Sequence, residues 1–296
     1  MKILVTGAGG QLGQELLAQG RKSEFELVAT DLPELDIADA KDVGSAIARI
    51  EPGLVINAAA YTQVDKAESQ PSLAYRVNTE GAATLAGACR SAGIALIHIS
   101  TDYVFDGEKN APYTESDPVA PAGIYARSKA DGEERVRSLL IEHIILRTSW
   151  LYGVFGHNFV KTMLQFGRES KVANIVNDQF GSPTSAADLA QAILKIASDI
   201  HRNSAVVWGT YHYCGKGITS WHEFAEKIFS LAEPYHLFKR PVVRAITTDQ
   251  YPTLAKRPRF SALDCSLIHQ HFGISTRPWP ESLAAVIHRI VHEDTH

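Results

Sequence analysis

Short apolar runs alternate with amphipathic stretches through the first half of the chain, the pattern of a parallel sheet covered by helices. Runs at Lys2–Thr6, Phe25–Thr30, Leu54–Asn57, Ile94–Ser100 and Ile144–Ser149 predict strands. The stretches around Gln11–Gln19, Asp39–Ile50, Pro71–Ser91 and Pro121–Leu140 predict the helices between them. Gly20 and Gly93 fall where helices stop, and Asp39 falls where an N-cap belongs. Strand–helix–strand units of this length cross over right-handed, so the expectation is an α/β fold on a doubly wound (Rossmann) parallel sheet.

After Trp150 the alternation breaks. Tyr152-Gly153-Val154-Phe155-Gly156 signals a loop, and Ser220 with Glu223 reads as a capping box opening another helix. Pro252, Pro258, Pro278 and Pro280 mark extended connections. The chain is therefore expected to form one domain over residues 1–150 and a smaller one over 151–296, free to return an element to the first.

Composition narrows the function classes. The 296 residues are 45% hydrophobic and 21% charged, and Lys+Arg 29 against Asp+Glu 33 leaves a net charge of -4. That balance argues against nucleic acid or an anionic membrane surface as the main partner. Cys89, Cys214 and Cys265 are too few and too scattered for a disulfide framework or a zinc ribbon. No apolar run approaches the ~18 residues of a membrane span. Met1-Lys2-Ile3-Leu4-Val5 enters the first strand at once, leaving no room for a signal peptide, so a cytoplasmic protein is expected.

Gly7-Ala8-Gly9-Gly10-Gln11-Leu12-Gly13 joins the first strand to the first helix. Such a turn brings backbone N–H groups close to a pyrophosphate at the positive end of the helix. Gly7 permits the tight turn, Gly10 the close approach and Gly13 the packing of helix on sheet. Asp31, at the end of the second strand, stands where a carboxylate accepts ribose hydroxyls; the alternative is a turn cap before Leu32-Pro33. An acidic residue there favours NAD over NADP, because a 2′-phosphate meets a like charge.

Tyr125 and Lys129 lie four apart, on one face of a predicted helix. Ketone reduction needs a proton donor for the developing alkoxide, and a neighbouring cation lowers a phenol's pKa. Alone, the spacing describes any solvated helix face; its weight comes from lying between the fourth and fifth strands. Ser100-Thr101-Asp102-Tyr103 ends the fourth strand, at the sheet edge where ligands bind, so Thr101 is placed to bond a substrate oxygen beside Tyr125.

Gly7-x-x-Gly10-x-x-Gly13, Asn57-Ala58-Ala59-Ala60 and Tyr125-x-x-x-Lys129 together resemble the extended short-chain dehydrogenase/reductases. Longer strings are similar to the dTDP-4-dehydrorhamnose reductase family among them. These are Val64-Asp65-Lys66-Ala67-Glu68, Ser100 to Phe105, Arg147-Thr148-Ser149-Trp150, Asn177 to Thr184, Tyr251-Pro252-Thr253 and Arg257-Pro258-x-x-Ser261-x-Leu263. The resemblance implies NADPH- or NADH-dependent reduction of the C4 ketone of dTDP-4-dehydro-6-deoxy-L-mannose, giving dTDP-L-rhamnose. It implies Tyr125 as proton donor, Lys129 tuning it and holding ribose, and Thr101 at the C4 oxygen. Gly10, Gln11 and Leu12 are then pyrophosphate contacts and Asp31 the adenosine-ribose contact. Asp36-Ile37 and Ala59-Ala60-Tyr61 line the cofactor cleft, and Asp102 and Trp150 touch the sugar nucleotide. Family members use NADPH, NADH or both. Two departures stand out. Phe260 replaces the asparagine of R-P-x-N-S. Of the acidic residues through which some members hold Mg²⁺ between subunits, Glu15 matches while Asp188 is shifted by one, so no metal is assigned and a homodimer stays open.

Rival readings are weaker. Sugar-nucleotide 4,6-dehydratases have Thr-Asp-Glu where Tyr103 is third here, and the serine-rich strand end usual in 4-epimerases is absent. A non-catalytic NADP-binding subunit like the methionine adenosyltransferase β subunit, or a reductase of another nucleotide keto-sugar, remains the alternative, although Thr101, Tyr125 and Lys129 are all present. His292-Glu293-Asp294-Thr295-His296 matches H-E-x-x-H but ends the sequence without a third ligand, and is read as coincidence. His98 reads as a satisfied core residue, Trp221 and His222 as packing, and Cys89 as unreactive.

Overall fold

The computed structural model describes residues 1–169, 172–202 and 205–293. Six parallel strands, β1 (Lys2–Thr6), β2 (Glu26–Thr30), β3 (Leu54–Asn57), β4 (Ala95–Thr101), β5 (His143–Thr148) and β6 (Gly209–His212), form one sheet in the order β6-β5-β4-β3-β1-β2. Strands β3 and β5 are buried along their whole length, which is why they read as continuous apolar runs. The first five strands lie within a residue of their predicted bounds.

One face of the sheet is covered by α2 (Ala40–Ile50), α3 (Gly81–Ala92) and α4 (Ile124–Leu139), around Leu4, Val55, Leu96 and Ile145. The other face packs on α1 (Gln11–Gly20) and α6 (Ala186–His201), around Ile3, Ile56, Ile97 and Leu146. Both β6 and α6 come from the part of the chain after Trp150. A separate cluster joins α5 (Phe159–Glu169), α7 (Trp221–Ala232) and α8 (Trp279–Glu293) through Tyr152, Val160, Phe224 and Leu283. The capping box of α7 is present, with Ser220 Oγ and the Glu223 backbone N–H 3.1 Å apart.

Two local details differ from expectation. Gly20 is the last helical residue, and a Cβ there would lie 2.6 Å from Leu27 Cδ2, so it serves close packing on β2 rather than a left-handed stop. Gly93 does end α3 with φ 65°. The expected helix over Pro71–Ser91 forms one helical run from Pro71 to Ala92, but with a π-turn at Arg76–Glu80 between its first turn, Pro71–Tyr75, and α3. The π-turn aims Asn78 inward: its Oδ1 accepts from Tyr61 N–H (2.8 Å) and its Nδ2 donates to Ser128 Oγ (3.0 Å). No described helix is long and apolar enough to cross a membrane. Residues 294–296, most of the H-E-x-x-H match, lie outside the described residues.

Candidate active site

Because the strands are parallel, β1, β3 and β4 present their C-terminal ends at one edge of the sheet, and β1 lies between β2 and β3, where the strand order reverses. Gly7 takes φ +69°, and a Cβ on it would lie 2.5 Å from Ala59 N in the loop after β3. A Cβ on Gly13 would lie 2.4 Å from Gly7 O, which locks α1 onto the turn. Gly9 and Gly10, by contrast, face solvent. Helix α1 follows Gly10 with no side-chain cap and no acidic residue in its first turn; Gly10 N–H donates to Gly7 O (3.1 Å), and among the described residues the N–H groups of Gln11 and Leu12 have no partner, which leaves them for an anion. This cradle fits a dinucleotide pyrophosphate.

Around it, Asp31 Oδ2 accepts from Gly9 N–H (2.8 Å) and Oδ1 from Leu32 N–H (2.9 Å). The carboxylate thus braces the glycine turn and the start of Leu32-Pro33, the contacts of the capping alternative. Asp36 is ion-paired to Arg76, and Ile37 is buried against Gly81. Leu12 is likewise core, leaving its backbone for a ligand. Gln11 Oε1 accepts from Asn158 Nδ2 (3.0 Å), tying the turn to the loop after β5. Ala59 N–H donates to Asn57 Oδ1 (3.1 Å), Ala60 is half-buried, and Tyr61 OH donates to Gln70 Oε1 (2.9 Å).

Beyond β4, Thr101 Oγ1 donates to Asp102 Oδ1 (3.0 Å) and accepts from Tyr103 N–H (3.2 Å). Asp102 is buried, its Oδ2 has no hydrogen-bond partner among the described residues, and burial lifts its pKa to about 7 against the favourable pull of the Ser261 and Thr101 hydroxyls. Tyr125 opens α4 beside this group, its ring edge-on to Tyr103 at 5.8 Å. The start of α4 is fixed from a distance: Glu68 Oε1 accepts Ile124 N–H (2.7 Å), beside Gly123 at φ +85°. Burial raises the Tyr125 pKa, and the Thr101 hydroxyl lowers it only in part. Lowering of the phenol by Lys129, expected from the spacing, is not seen, because the ammonium points elsewhere.

Lys129 is buried, and its Nζ donates to Ile99 O (2.7 Å) and lies 3.4 Å from His98 Nε2. Asn57 fixes the tautomer of that ring. Its Oδ1 already accepts Thr6 Oγ1 (2.8 Å) and the Ala59 backbone N–H, so Nδ2 must donate to His98 Nδ1 (3.0 Å). The neutral ring then carries its hydrogen on Nε2, facing Lys129. An N–H faces a neutral amine comfortably and an ammonium badly. Burial pushes Lys129 down to about 8, partly offset by the charge of Glu133, and keeps His98 neutral.

On the far side of the cleft Trp150, at φ 46°, stacks on Trp221 with ring centres 3.6 Å apart, and Gly181 leaves room for its indole. Arg257 donates to Asp65 Oδ2 (2.7 Å) and Tyr103 OH (3.2 Å). Phe260, in place of asparagine, packs with the Phe105–Tyr113 cluster while its N–H donates to Gly107 O (3.0 Å). Glu15 is ion-paired to Arg289, and Asp188 accepts the Ser282 hydroxyl. No described group of three His, Cys, Asp or Glu residues is arranged to hold a metal.

The family described as the RmlD substrate binding domain matches residues 1–292. The chain belongs to that family. It is 45% identical to the dTDP-4-dehydrorhamnose reductase of Aggregatibacter actinomycetemcomitans, over 95% of this chain and 97% of that one. The crystal structure of a dTDP-4-dehydrorhamnose reductase from Clostridium acetobutylicum superposes with a TM-score of 0.91 at 42% identity, covering 98% of this chain and 100% of the other. The Bacillus anthracis dTDP-4-dehydrorhamnose reductase, solved in complex with NADP, also gives 0.91 at 38% identity, over 97% and 99% of the two chains. Sequence reasoning missed Asn57, Glu68, Asn78, Asn158, Ser261 and Arg257 as supports of the site. For Asn57, Glu68, Ser261 and Arg257 the signal was their place inside the family-like strings.

Proposed function

We propose that this protein reduces the C4 ketone of dTDP-4-dehydro-6-deoxy-L-mannose to dTDP-L-rhamnose with NADPH or NADH. The observation that carries the reading is the joint placement of Thr101, Tyr125 and Lys129 at the sheet edge beside an open glycine cradle, in a chain of this family. The cradle holds the pyrophosphate on the N–H groups of Gln11 and Leu12, packed against the Gly10 backbone whose own N–H closes the turn on Gly7 O (3.1 Å), with Asp31 at the adenosine ribose. Bound there, the reduced dinucleotide supplies the hydride. Tyr125, kept protonated by burial, donates its proton to the nascent alkoxide; the product alcohol is a weaker acid than a phenol, so the transfer runs downhill. Thr101 turns its one hydroxyl hydrogen from Asp102 Oδ1 to the same oxygen when the sugar is bound. Lys129 holds the nicotinamide ribose hydroxyls. Residues 151–296 form most of the sugar-nucleotide lobe, with Trp150 and Asp102 at its rim.

A like charge at Asp31 disfavours a 2′-phosphate, yet the Bacillus anthracis relative is described with NADP, so both coenzymes are to be compared. The test is to follow NADPH and NADH oxidation with enzymatically generated dTDP-4-dehydro-6-deoxy-L-mannose and identify the sugar formed. Oxidation yielding dTDP-L-rhamnose is expected. Tight dinucleotide binding without oxidation would instead favour a binding subunit or another keto-sugar. The same reading places the protein in the cytoplasm. Its assembly, including the homodimer, is read by sedimentation of the purified protein.

A further inference from the structure

Away from the catalytic edge, Cys214 and Cys265 are separated by 51 positions in sequence, yet their sulfurs lie 3.6 Å apart. Cys214 follows β6 and is buried; Cys265 is partly exposed. Both line a cavity of about 700 Å³ that Lys216 and Asp264 also border, and that Tyr125 and Lys129 do not reach. The two sulfurs are joined by more than proximity. Cys214 N–H donates to Cys265 Sγ (3.3 Å), and Cys214 Sγ–H points to Leu263 O (3.5 Å). Within the pair the thiolate is favoured on Cys214, where the Cys265 S–H and nearby donors stabilise it, while burial and that neighbour hold the Cys265 proton. Cys89 makes the contrast. It is sealed inside α3, and burial alone pushes its thiol up to about 12.

We propose that Cys214 and Cys265 form a redox-active dithiol that closes to a disulfide by exchange with a small disulfide of the glutathione type. The cavity admits the oxidant to Cys265, the more exposed sulfur. Cys265 passes its proton to the Cys214 sulfur 3.6 Å away and attacks one sulfur of the small disulfide, breaking its S–S bond and releasing one small thiolate, which takes that proton from Cys214. Cys214, as thiolate, then attacks the Cys265 sulfur of the mixed disulfide and expels the second. The protein loses two electrons and two protons, and the small disulfide is reduced to two thiols. Closing the remaining gap to the ~2.05 Å of an S–S bond needs a shift of about 1.5 Å. The resulting bond ties the end of β6 to the segment carrying Ser261, whose hydroxyl favours the Asp102 carboxylate.

The experiment treats the folded, full-length protein with oxidised glutathione in mildly alkaline buffer, then reads intact mass and alkylated peptides. Wild type is expected to lose two hydrogens, to yield one Cys214–Cys265 linked peptide that dithiothreitol reverses, and to keep Cys89 free. Cys214→Ser should stop at a stable glutathione adduct on Cys265. Cys265→Ser should react at least ~10-fold more slowly, since the buried sulfur must then be attacked directly. Circular dichroism confirms that both variants are folded. Wild type that stays unmodified, or that accumulates a stable single adduct, would overturn the proposal; so would a linked peptide involving Cys89.

Discussion

Helix α4 carries two buried ionisable side chains one turn apart, and the fold treats them in opposite ways. Glu133 is gripped by Arg147 through two parallel bonds, Nε to Oε1 (2.9 Å) and Nη2 to Oε2 (2.6 Å), with Arg137 Nη1 adding a third (3.2 Å). Arg147 also lies over the Phe105 ring at 5.0 Å. Lys129 is as deeply buried, but no described carboxylate comes within ion-pair distance; it has a carbonyl and an imidazole whose N–H faces it. A buried charge that serves the fold is paired on every side. One kept for chemistry is left under-paired, so that its protonation and contacts can change. The comparison separates a structural site from a reacting one along 5 to 6 Å of the same helix.

The largest expected effect is on turnover. Tyr125→Phe should lower kcat by roughly 100- to 10,000-fold while dinucleotide affinity stays the same, measured by steady-state kinetics and fluorescence titration. Unchanged turnover would remove Tyr125 from the proton-donor role. Next comes stability. Glu133→Ala leaves Arg147 buried without its partner and should cost about 3–5 kcal/mol in urea unfolding. A loss below about 1 kcal/mol would show that the pair contributes no more than a surface bridge.

The pH dependence sharpens the contrast. Lys129 has a folded pKa of about 8 against an ordinary 10.5, so between those values the unfolded chain binds more protons than the folded one. Stability therefore rises with pH across that window, and the penalty, about 3 kcal/mol, is fully present below it. The stability difference between wild type and Lys129→Met should narrow from about pH 8 to 10.5. A flat difference would mean Lys129 is not destabilised by burial. The smallest effect is at the start of the helix: Glu68→Ala removes the acceptor for Ile124 N–H and should cost about 1 kcal/mol, with kcat reduced less than in Tyr125→Phe.

The parts of this design that act locally were legible in the sequence. Strands buried on both faces read as apolar runs, and the glycine turn, Thr101 and the Tyr125–Lys129 spacing each lie within a few residues of the element that positions them. His98 was legible only as a satisfied core residue. Its partners Asn57 and Lys129 arrive from a neighbouring strand and from α4, and only register sets Asn57 opposite it. The π-turn inside the Pro71–Ser91 helix was invisible because Asn78 turns inward for hydrogen bonds with Tyr61 and Ser128, which hydrophobic periodicity does not report. Arg257 meets Asp65 across 192 positions, a contact that no local pattern encodes. The same holds for the approach of Cys214 to Cys265.

The most direct test of the contrast is Lys129→Met at neutral pH, with turnover and unfolding free energy measured on the same preparation. The account predicts that turnover falls by about 100-fold or more while stability holds or rises, because an under-paired buried cation is replaced by an apolar chain of similar length. Turnover near wild type, or a loss of stability comparable to that of Glu133→Ala, would contradict it.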